Sequence, residues 1–83
     1  MKKRVGTRCW MKGAASVASL KQWKKYQQKG LQLSCPCNCF GKELEVVEVL
    51  SDSLALLQLV GFKRLTIAVW DDLTTLAPEA IQI

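Results

Sequence analysis

The spacing of apolar side chains changes along the chain from a helical repeat to an alternating one. Between Ala14 and Lys29 the apolar residues fall on one half of a helical circumference, and the segment closes at Gly30. Lysines near its end suit a helix C terminus, and glycine is common just beyond one. The pattern therefore predicts a helix over residues 14–29.

The acidic, valine-rich segment ELEVVEVL changes phase part of the way along. Leu44 and Val46 share one side of an extended chain, whereas Val47 and Val49 share the other, and such a slip predicts a β-bulge. A helix over residues 43–60 is the rival interpretation, because the apolar residues there also fit helical spacing. The β-branched valines favour the strand.

Three further segments are short and bounded by turn residues. LALLQLV and KRLTIAVW predict two strands, separated by a turn at Gly61 and Phe62. In KRLTIAVW the apolar residues alternate cleanly between two faces. An acid-capped turn at Asp71 and Asp72 follows, and AIQI at the C terminus predicts a closing strand.

Together these elements predict the α+β fold class, with an N-terminal basic helix plus a small antiparallel β-meander or barrel, SH3-like or OB-like. Residues 1–13 are interpreted as a basic arm, although RCWM within them also fits one short strand. Residues 14–83 then form a single small domain. After the helix this domain contains a Cys-rich loop, residues 34–42, and a β body, residues 43–83. A chain of 83 residues allows one domain only.

Charge is distributed unevenly between the two halves. Residues 1–42 carry ten of the twelve bases and no acid, so their net charge is +10, whereas residues 43–83 carry −5. This asymmetry predicts either a surface that binds a polyanion or electrostatic attraction between the halves.

Lys21, Lys25 and Lys29 form a column on the polar side of the predicted helix. Like charges at this spacing destabilise an isolated helix by roughly 0.2–0.5 kcal/mol per pair, so the column favours a bound anion or neutralising acids from the body. Aromatic residues among bases are typical of proteins that bind single strands, while Trp23 and Tyr26 are predicted to belong to the core. The candidate nucleic-acid-binding residues are Lys2, Lys3, Arg4, Arg8, Trp10, Lys21, Lys25 and Lys29.

Four cysteines, Cys9, Cys35, Cys37 and Cys39, are the candidate metal ligands. Alternate side chains of an extended segment repeat at about 6.6 Å, whereas tetrahedral zinc needs sulfur atoms less than about 4 Å apart. The chain also lacks histidine and the repeated cysteine pairs of structural zinc sites. Unreactive thiols without metal or cofactor are therefore the favoured interpretation, and a metal site and a redox or disulfide role are the alternatives.

Enzymatic activity is not expected from this composition. The absence of histidine removes the usual base of hydrolytic nucleophiles. The five glycines form neither a GxGxxG motif nor a phosphate-binding loop. The sequence therefore predicts a protein that is not an enzyme.

No transmembrane segment is predicted, because no run of about 18 uncharged apolar residues occurs. GAASVASLKQW is too short and too weakly apolar for the core of a secretory signal. A cytoplasmic, reducing location is therefore expected, in which disulfides are rare. The acid-free N terminus also has some features of an organelle presequence, which is the minor alternative.

Residues 41–76, GKELEVVEVLSDSLALLQLVGFKRLTIAVWDDLTTL, resemble the second half of the small ferrous-iron-transport accessory proteins, the FeoA family. The shared order runs from a helix ending in Gly30-Leu31 to the strand ELEVV, a hairpin, the turn at Gly61-Phe62, another strand and the turn at Asp71-Asp72. The resemblance implies a small barrel of Src-homology-like type that docks on a larger protein. It implies no catalytic residues.

The leading functional hypothesis is a non-enzymatic binding module whose basic N-terminal arm and helix bind a polyanion, with RNA preferred. The alternative is a protein-docking adaptor of the small-barrel type that the resemblance implies. The two hypotheses differ in what the lysine column is expected to face.

Overall fold

The computed structural model describes residues 2–77 and consists of one α-helix and one five-stranded antiparallel sheet, which confirms the α+β fold class. Helix α1 spans Val17–Gln28, and two single 3₁₀ turns cover Pro36–Asn38 and Trp70–Asp72. The strands are β1 (Arg8–Met11), β2 (Leu44–Val49), β3 (Leu54–Leu59), β4 (Leu65–Val69) and β5 (Leu73–Thr74). Within residues 2–77 no helix has the length and apolar character needed to cross a membrane.

The strands lie in the order β4-β3-β2-β1-β5. Strands β2, β3 and β4 form the predicted meander, and β5 returns to pair with the far side of β1, as at Trp10 and Thr74. The predicted closing strand AIQI lies outside the described residues. Strands β4 and β5 form the two edges and do not pair with each other in residues 2–77, so closure into a barrel stays a prediction.

Residues 8–11 belong to the sheet and not to a basic arm. Strand β1 lies between β2 and β5, and the side chains of Cys9 and Met11 are buried in the core. Assigning these four residues to an arm was wrong, and the alternative of a short strand at RCWM is confirmed. Alternating burial explains the outcome, since Cys9 and Met11 point inward while Arg8 points outward.

The phase slip in β2 corresponds to an irregularity in its pairing with β3. The register shifts between Val46 and Glu48, as the predicted bulge requires. Val46 is fully buried, whereas Glu48 is exposed. The helical alternative for this stretch is wrong, because β2 and β3 occupy most of it.

Both faces of β4 are buried, by different parts of the protein. Ala68, and Trp70 just beyond the strand, contact the main core formed with β1, β2, β3 and β5. On the opposite face, Ile67 belongs to a second cluster that includes Trp23 and Tyr26 of α1. The predicted alternation in KRLTIAVW and the core positions of the two helix aromatics are therefore confirmed. This packing fixes which side of α1 faces solvent.

Helix α1 begins at Val17, three residues later than predicted, and ends at Gln28. The hydroxyl of Ser16 accepts a hydrogen bond from the backbone N–H of Ser19 at 3.3 Å and so caps the first turn. At the other end Gly30 has a φ of 96°, a left-handed conformation that favours glycine. The predicted end of the helix is therefore confirmed to within one residue.

Candidate polyanion-binding surface

The outer side of α1 is covered by lysines. The lysine face comprises Lys21, Lys24, Lys25 and the C-capping Lys29, all of them exposed. At 3.6 residues per turn these side chains span about 140° of the helix, opposite the aromatic residues that pack on β4. Among residues 2–77 they form no ion pair with an acid. Their mutual repulsion is therefore not offset within the described chain.

One lysine of this face is partly ordered by an aromatic ring. Lys29 Nζ lies 4.9 Å from the centroid of the Tyr26 ring, which is within the range of a cation–π contact. Tyr26 is half-buried against the second core cluster, while Lys29 remains exposed. The contact orients the side chain and leaves its charge open to solvent.

A groove of about 580 Å³ connects the N-terminal bases to the start of the lysine face. Both Lys3 and Lys21 line it, and Lys3 Nζ donates a hydrogen bond to the backbone carbonyl oxygen of Asp52 at 2.8 Å. One base of the N-terminal arm and one of the lysine column thus line the same groove. Asp52 and Asp71 also line this groove. We therefore expect an anion to follow the exposed lysines and not to enter the groove.

Arg8 and Trp10 lie on another part of the molecule, the outer side of β1. Arg8 Nη1 lies 3.1 Å from Glu43 Oε2, and Arg8 Nε lies 3.4 Å from Glu45 Oε1. These pairs are well exposed to solvent, so each contributes little to stability. Trp10 is half-buried two residues further along the strand. Glu43 and Glu45, two acids of the body, therefore pair with Arg8 and not with the lysine column.

Two bases outside the set of candidate residues lie near the C-terminal end of α1. Lys63 and Arg64, in the turn between β3 and β4, line a groove of about 400 Å³ together with Gln27 and Gln32. No acid lines this groove within the described part of the chain. The sequence carries no signal of this proximity, because the distance between the β3–β4 turn and α1 depends on how the helix lies across β4. The basic surface therefore continues beyond the helix.

The segment that follows α1 is held in place by side chains of the helix. Trp23 Nε1 donates a hydrogen bond to the carbonyl oxygen of Leu33 at 3.1 Å. Gln27 Oε1 accepts one from the backbone N–H of Leu33, also at 3.1 Å. Thr66 on β4 adds a hydrogen bond from its hydroxyl to the carbonyl oxygen of Ser34 at 2.9 Å. One wall of the basic groove is thus rigidly attached to both α1 and the sheet.

Asp72 anchors the N terminus of α1 to the sheet. Its Oδ2 accepts hydrogen bonds from the backbone N–H of Ser16 at 3.0 Å, from the Ser16 hydroxyl at 2.8 Å and from the Ser19 hydroxyl at 2.5 Å. Ser19 is fully buried, and its oxygen also accepts from the backbone N–H of Val69 at 3.0 Å. Asp71 and Asp72 were expected to cap their own turn. That expectation was wrong, because no side chain caps the 3₁₀ turn and Asp72 instead accepts hydrogen bonds from Ser16 and Ser19 at the start of α1.

The Cys-rich loop contains a disulfide between Cys35 and Cys37, so the expectation that these two are unpaired thiols was wrong. The 3₁₀ turn at Pro36–Asn38 places their Cα atoms 5.2 Å apart, closer than alternate residues of an extended chain. Cys9 and Cys39 are free and buried. Within residues 2–77 no group of three or more histidine, cysteine or acidic side chains is placed to hold a metal ion.

Burial of Cys9 is expected to make the protein less stable in alkali. Desolvation raises the pKa of its thiol from 9.0 to about 11. The unfolded chain therefore loses this proton at a lower pH than the folded protein does. The stabilisation is fully present below pH 9 and is lost as the pH rises through 11.

Urea unfolding of the Cys35→Ser/Cys37→Ser protein, with and without Cys9→Ala, tests this prediction without disulfide exchange. We expect the free energy of unfolding to fall more steeply between pH 9 and 11 when Cys9 is present. The difference between the two proteins should be constant at lower pH. Parallel curves across the alkaline range would contradict the assigned pKa.

Comparison with known proteins found no relative of this chain. No family model matches the chain, and no curated protein or solved structure matches it.

Proposed function

We propose that this protein is a non-enzymatic module that binds single-stranded RNA through the phosphate backbone. One observation carries the proposal: the lysine face of α1 is exposed and makes no ion pair with an acid of residues 2–77. A phosphate chain supplies the negative charge that this surface lacks. Each phosphate neutralised by a lysine also releases counterions, which favours binding at low salt.

Bases at both ends of α1 extend the lysine face into a longer path. At the N-terminal end, Lys3 lines the same groove as Lys21, and the neighbouring Lys2 and Arg4 are exposed. At the C-terminal end the acid-free groove adds two bases of the β3–β4 turn. From Lys21 to Lys29 the lysine face alone rises about 12 Å along the helix axis. Such a length suits a chain of several phosphates better than a single small anion.

An exposed aromatic ring next to this path favours a single strand over a duplex. Phe62 is 61% exposed and directly precedes Lys63 and Arg64. Its carbonyl oxygen accepts a hydrogen bond from Gln58 Nε2 at 3.3 Å, which helps to fix the turn. Unpaired bases can stack on such a ring, whereas paired bases are already stacked. Phe62 is therefore a better stacking candidate than Trp10, which is half-buried near the acids that pair with Arg8.

Titration of the full chain with a short fluorescent RNA tests the proposal. A DNA of the same sequence and the corresponding RNA duplex serve as comparisons, at about 50 mM and 200 mM salt. We expect RNA affinity to fall with salt at a log–log slope of about 0.7 per phosphate contact, and the duplex to bind more weakly. Absence of binding at about 50 mM salt would remove the proposal, and equal binding of DNA would widen it to single strands of either kind.

A protein-docking adaptor is the second candidate function. The strand order, with β5 beside β1 and a short 3₁₀ turn before β5, supports the small SH3-like barrel that the resemblance to the FeoA family implies. Proteins of that kind dock on a larger partner and need no basic path. Saturable binding to a purified ferrous-iron transporter, together with no RNA binding, would favour this function.

A further inference from the structure

The disulfide of the Cys-rich loop lies at the surface of the protein. Cys37 is exposed, and Cys35 is half-buried. The two residues flank Pro36 in a single 3₁₀ turn outside the sheet and α1. An external thiol can therefore reach Cys37 without opening the core.

One hydrogen bond distinguishes the two sulfur atoms. The backbone N–H of Cys37 donates to Cys35 Sγ at 3.4 Å. A donor at this position stabilises negative charge on the sulfur, and a more stable thiolate leaves faster in disulfide exchange. Cys35 is thus the better leaving group, and Cys37 is the more accessible point of attack. Both properties favour attack at Cys37 with release of the Cys35 thiolate.

We propose that Cys35 and Cys37 form a reversible disulfide site that exchanges two electrons with an external dithiol. A thiolate of the dithiol attacks Cys37 Sγ, forms a mixed disulfide and releases the Cys35 thiolate. The second thiol of the dithiol then loses its proton and attacks the other dithiol sulfur, which is bonded to Cys37. This attack releases the Cys37 thiolate. The dithiol is oxidised to a disulfide, and the cysteine pair takes up two electrons and two protons. The reverse sequence oxidises the pair.

The remaining cysteines are protected from this exchange. Cys39 is buried, and its thiol donates a hydrogen bond to the carbonyl oxygen of Cys35 at 3.6 Å. Burial raises the pKa of Cys39 and raises that of Cys9 to about 11, so both stay protonated at neutral pH. A protonated thiol is a poor nucleophile. The reaction is therefore confined to the exposed pair and does not depend on RNA binding.

Equilibration of the full chain in redox buffers tests the proposal. The protein is incubated at pH 7 with mixtures of reduced and oxidised dithiothreitol, and separately with those of glutathione. It is then quenched with acid, alkylated after denaturation and analysed by peptide mass spectrometry. We expect Cys35 and Cys37 to change together, reversibly, in one two-electron transition, while Cys9 and Cys39 stay reduced. Thiols at Cys35 and Cys37 in every buffer, or a disulfide that survives excess dithiothreitol, would overturn the proposal.

An early quench tests the roles of the two sulfur atoms. When the oxidised protein is mixed with reduced glutathione and quenched with acid before the pair is fully reduced, the mixed disulfide should lie at Cys37 several-fold more often than at Cys35. Cys39→Ala is the control, and its two-electron transition should be unchanged. A mixed disulfide mainly at Cys35, or loss of the transition in Cys39→Ala, would overturn the assigned roles. Thermal unfolding of Cys39→Ala shows whether the fold is retained.

Discussion

Asp72→Ala is expected to lower the free energy of unfolding by roughly 3 kcal/mol. The carboxylate accepts three hydrogen bonds from Ser16 and Ser19 at the first turn of α1. Its removal leaves Ser19, which is fully buried, without the acceptor of its hydroxyl proton. Buried polar groups without a partner cost free energy because water cannot replace the lost bond. For a small domain this loss is a large part of the total stability.

Asp71→Ala is the matched control for this experiment. Asp71 is the same residue type one position earlier, is exposed and makes no side-chain hydrogen bond within residues 2–77. Its replacement should change the free energy of unfolding by no more than about 0.5 kcal/mol. Urea unfolding followed by tryptophan fluorescence measures both variants. Equal losses in the two would show that the carboxylate of Asp72 does not anchor the helix.

The anchor connects the stability of the fold to the proposed binding surface. Asp72 fixes the start of α1, while Trp23 and Tyr26 hold its inner side against β4. The direction of the lysine face depends on these contacts. RNA affinity of Asp72→Asn, which keeps one amide oxygen as an acceptor, should therefore fall less than that of Asp72→Ala.

Local patterns in the sequence were sufficient to predict the meander of β2, β3 and β4. The alternation around Ile67 and Ala68 identified β4, and the phase slip near Val46 located the bulge before any pairing was known. Side chains in a strand alternate between faces, so these signals lie within a few neighbouring residues. A glycine just beyond the last turn likewise marked the end of α1, and Gly30 does have the left-handed conformation that this position favours.

Contacts between distant segments were not predictable from those patterns. Ser16 and Asp72 are 56 residues apart, and their hydrogen bond depends on where α1 crosses the sheet. Pairing of Arg8 with Glu45 likewise requires the register of β1 against β2. The mistaken expectation for Cys35 had another origin, since it rested on a reducing location, in which disulfides are rare, whereas the 3₁₀ turn brings Cys35 and Cys37 together.

The candidate binding surface was predicted in part. The column on α1 was correctly expected to face away from the core, because helical periodicity separates the two sides. Arg8 was grouped with the arm by its position in the chain, and only the strand pairing showed its ion pairs with Glu43 and Glu45. Lys63 was overlooked because nothing near it in the sequence shows its proximity to the end of α1.

Lys21→Gln/Lys25→Gln/Lys29→Gln is expected to weaken RNA binding on the order of 100-fold at about 100 mM salt. Three phosphate contacts contribute a log–log salt slope of about 2 on a single strand, so the slope should become shallower by that amount. The loss should be similar for every RNA sequence, because phosphates carry no base information. All three lysines are exposed, so the fold should be retained.

A charge-matched comparison decides whether position or net charge accounts for the loss. Lys12→Gln/Lys42→Gln removes two exposed lysines that lie outside α1, and Lys21→Gln/Lys25→Gln removes two from the lysine face. If phosphates follow the helix, the second double variant should lose much more affinity and salt dependence than the first, since only close contacts release counterions. Equal losses would indicate a diffuse effect of net charge. An unchanged affinity in the triple variant would exclude the lysine face as the binding surface.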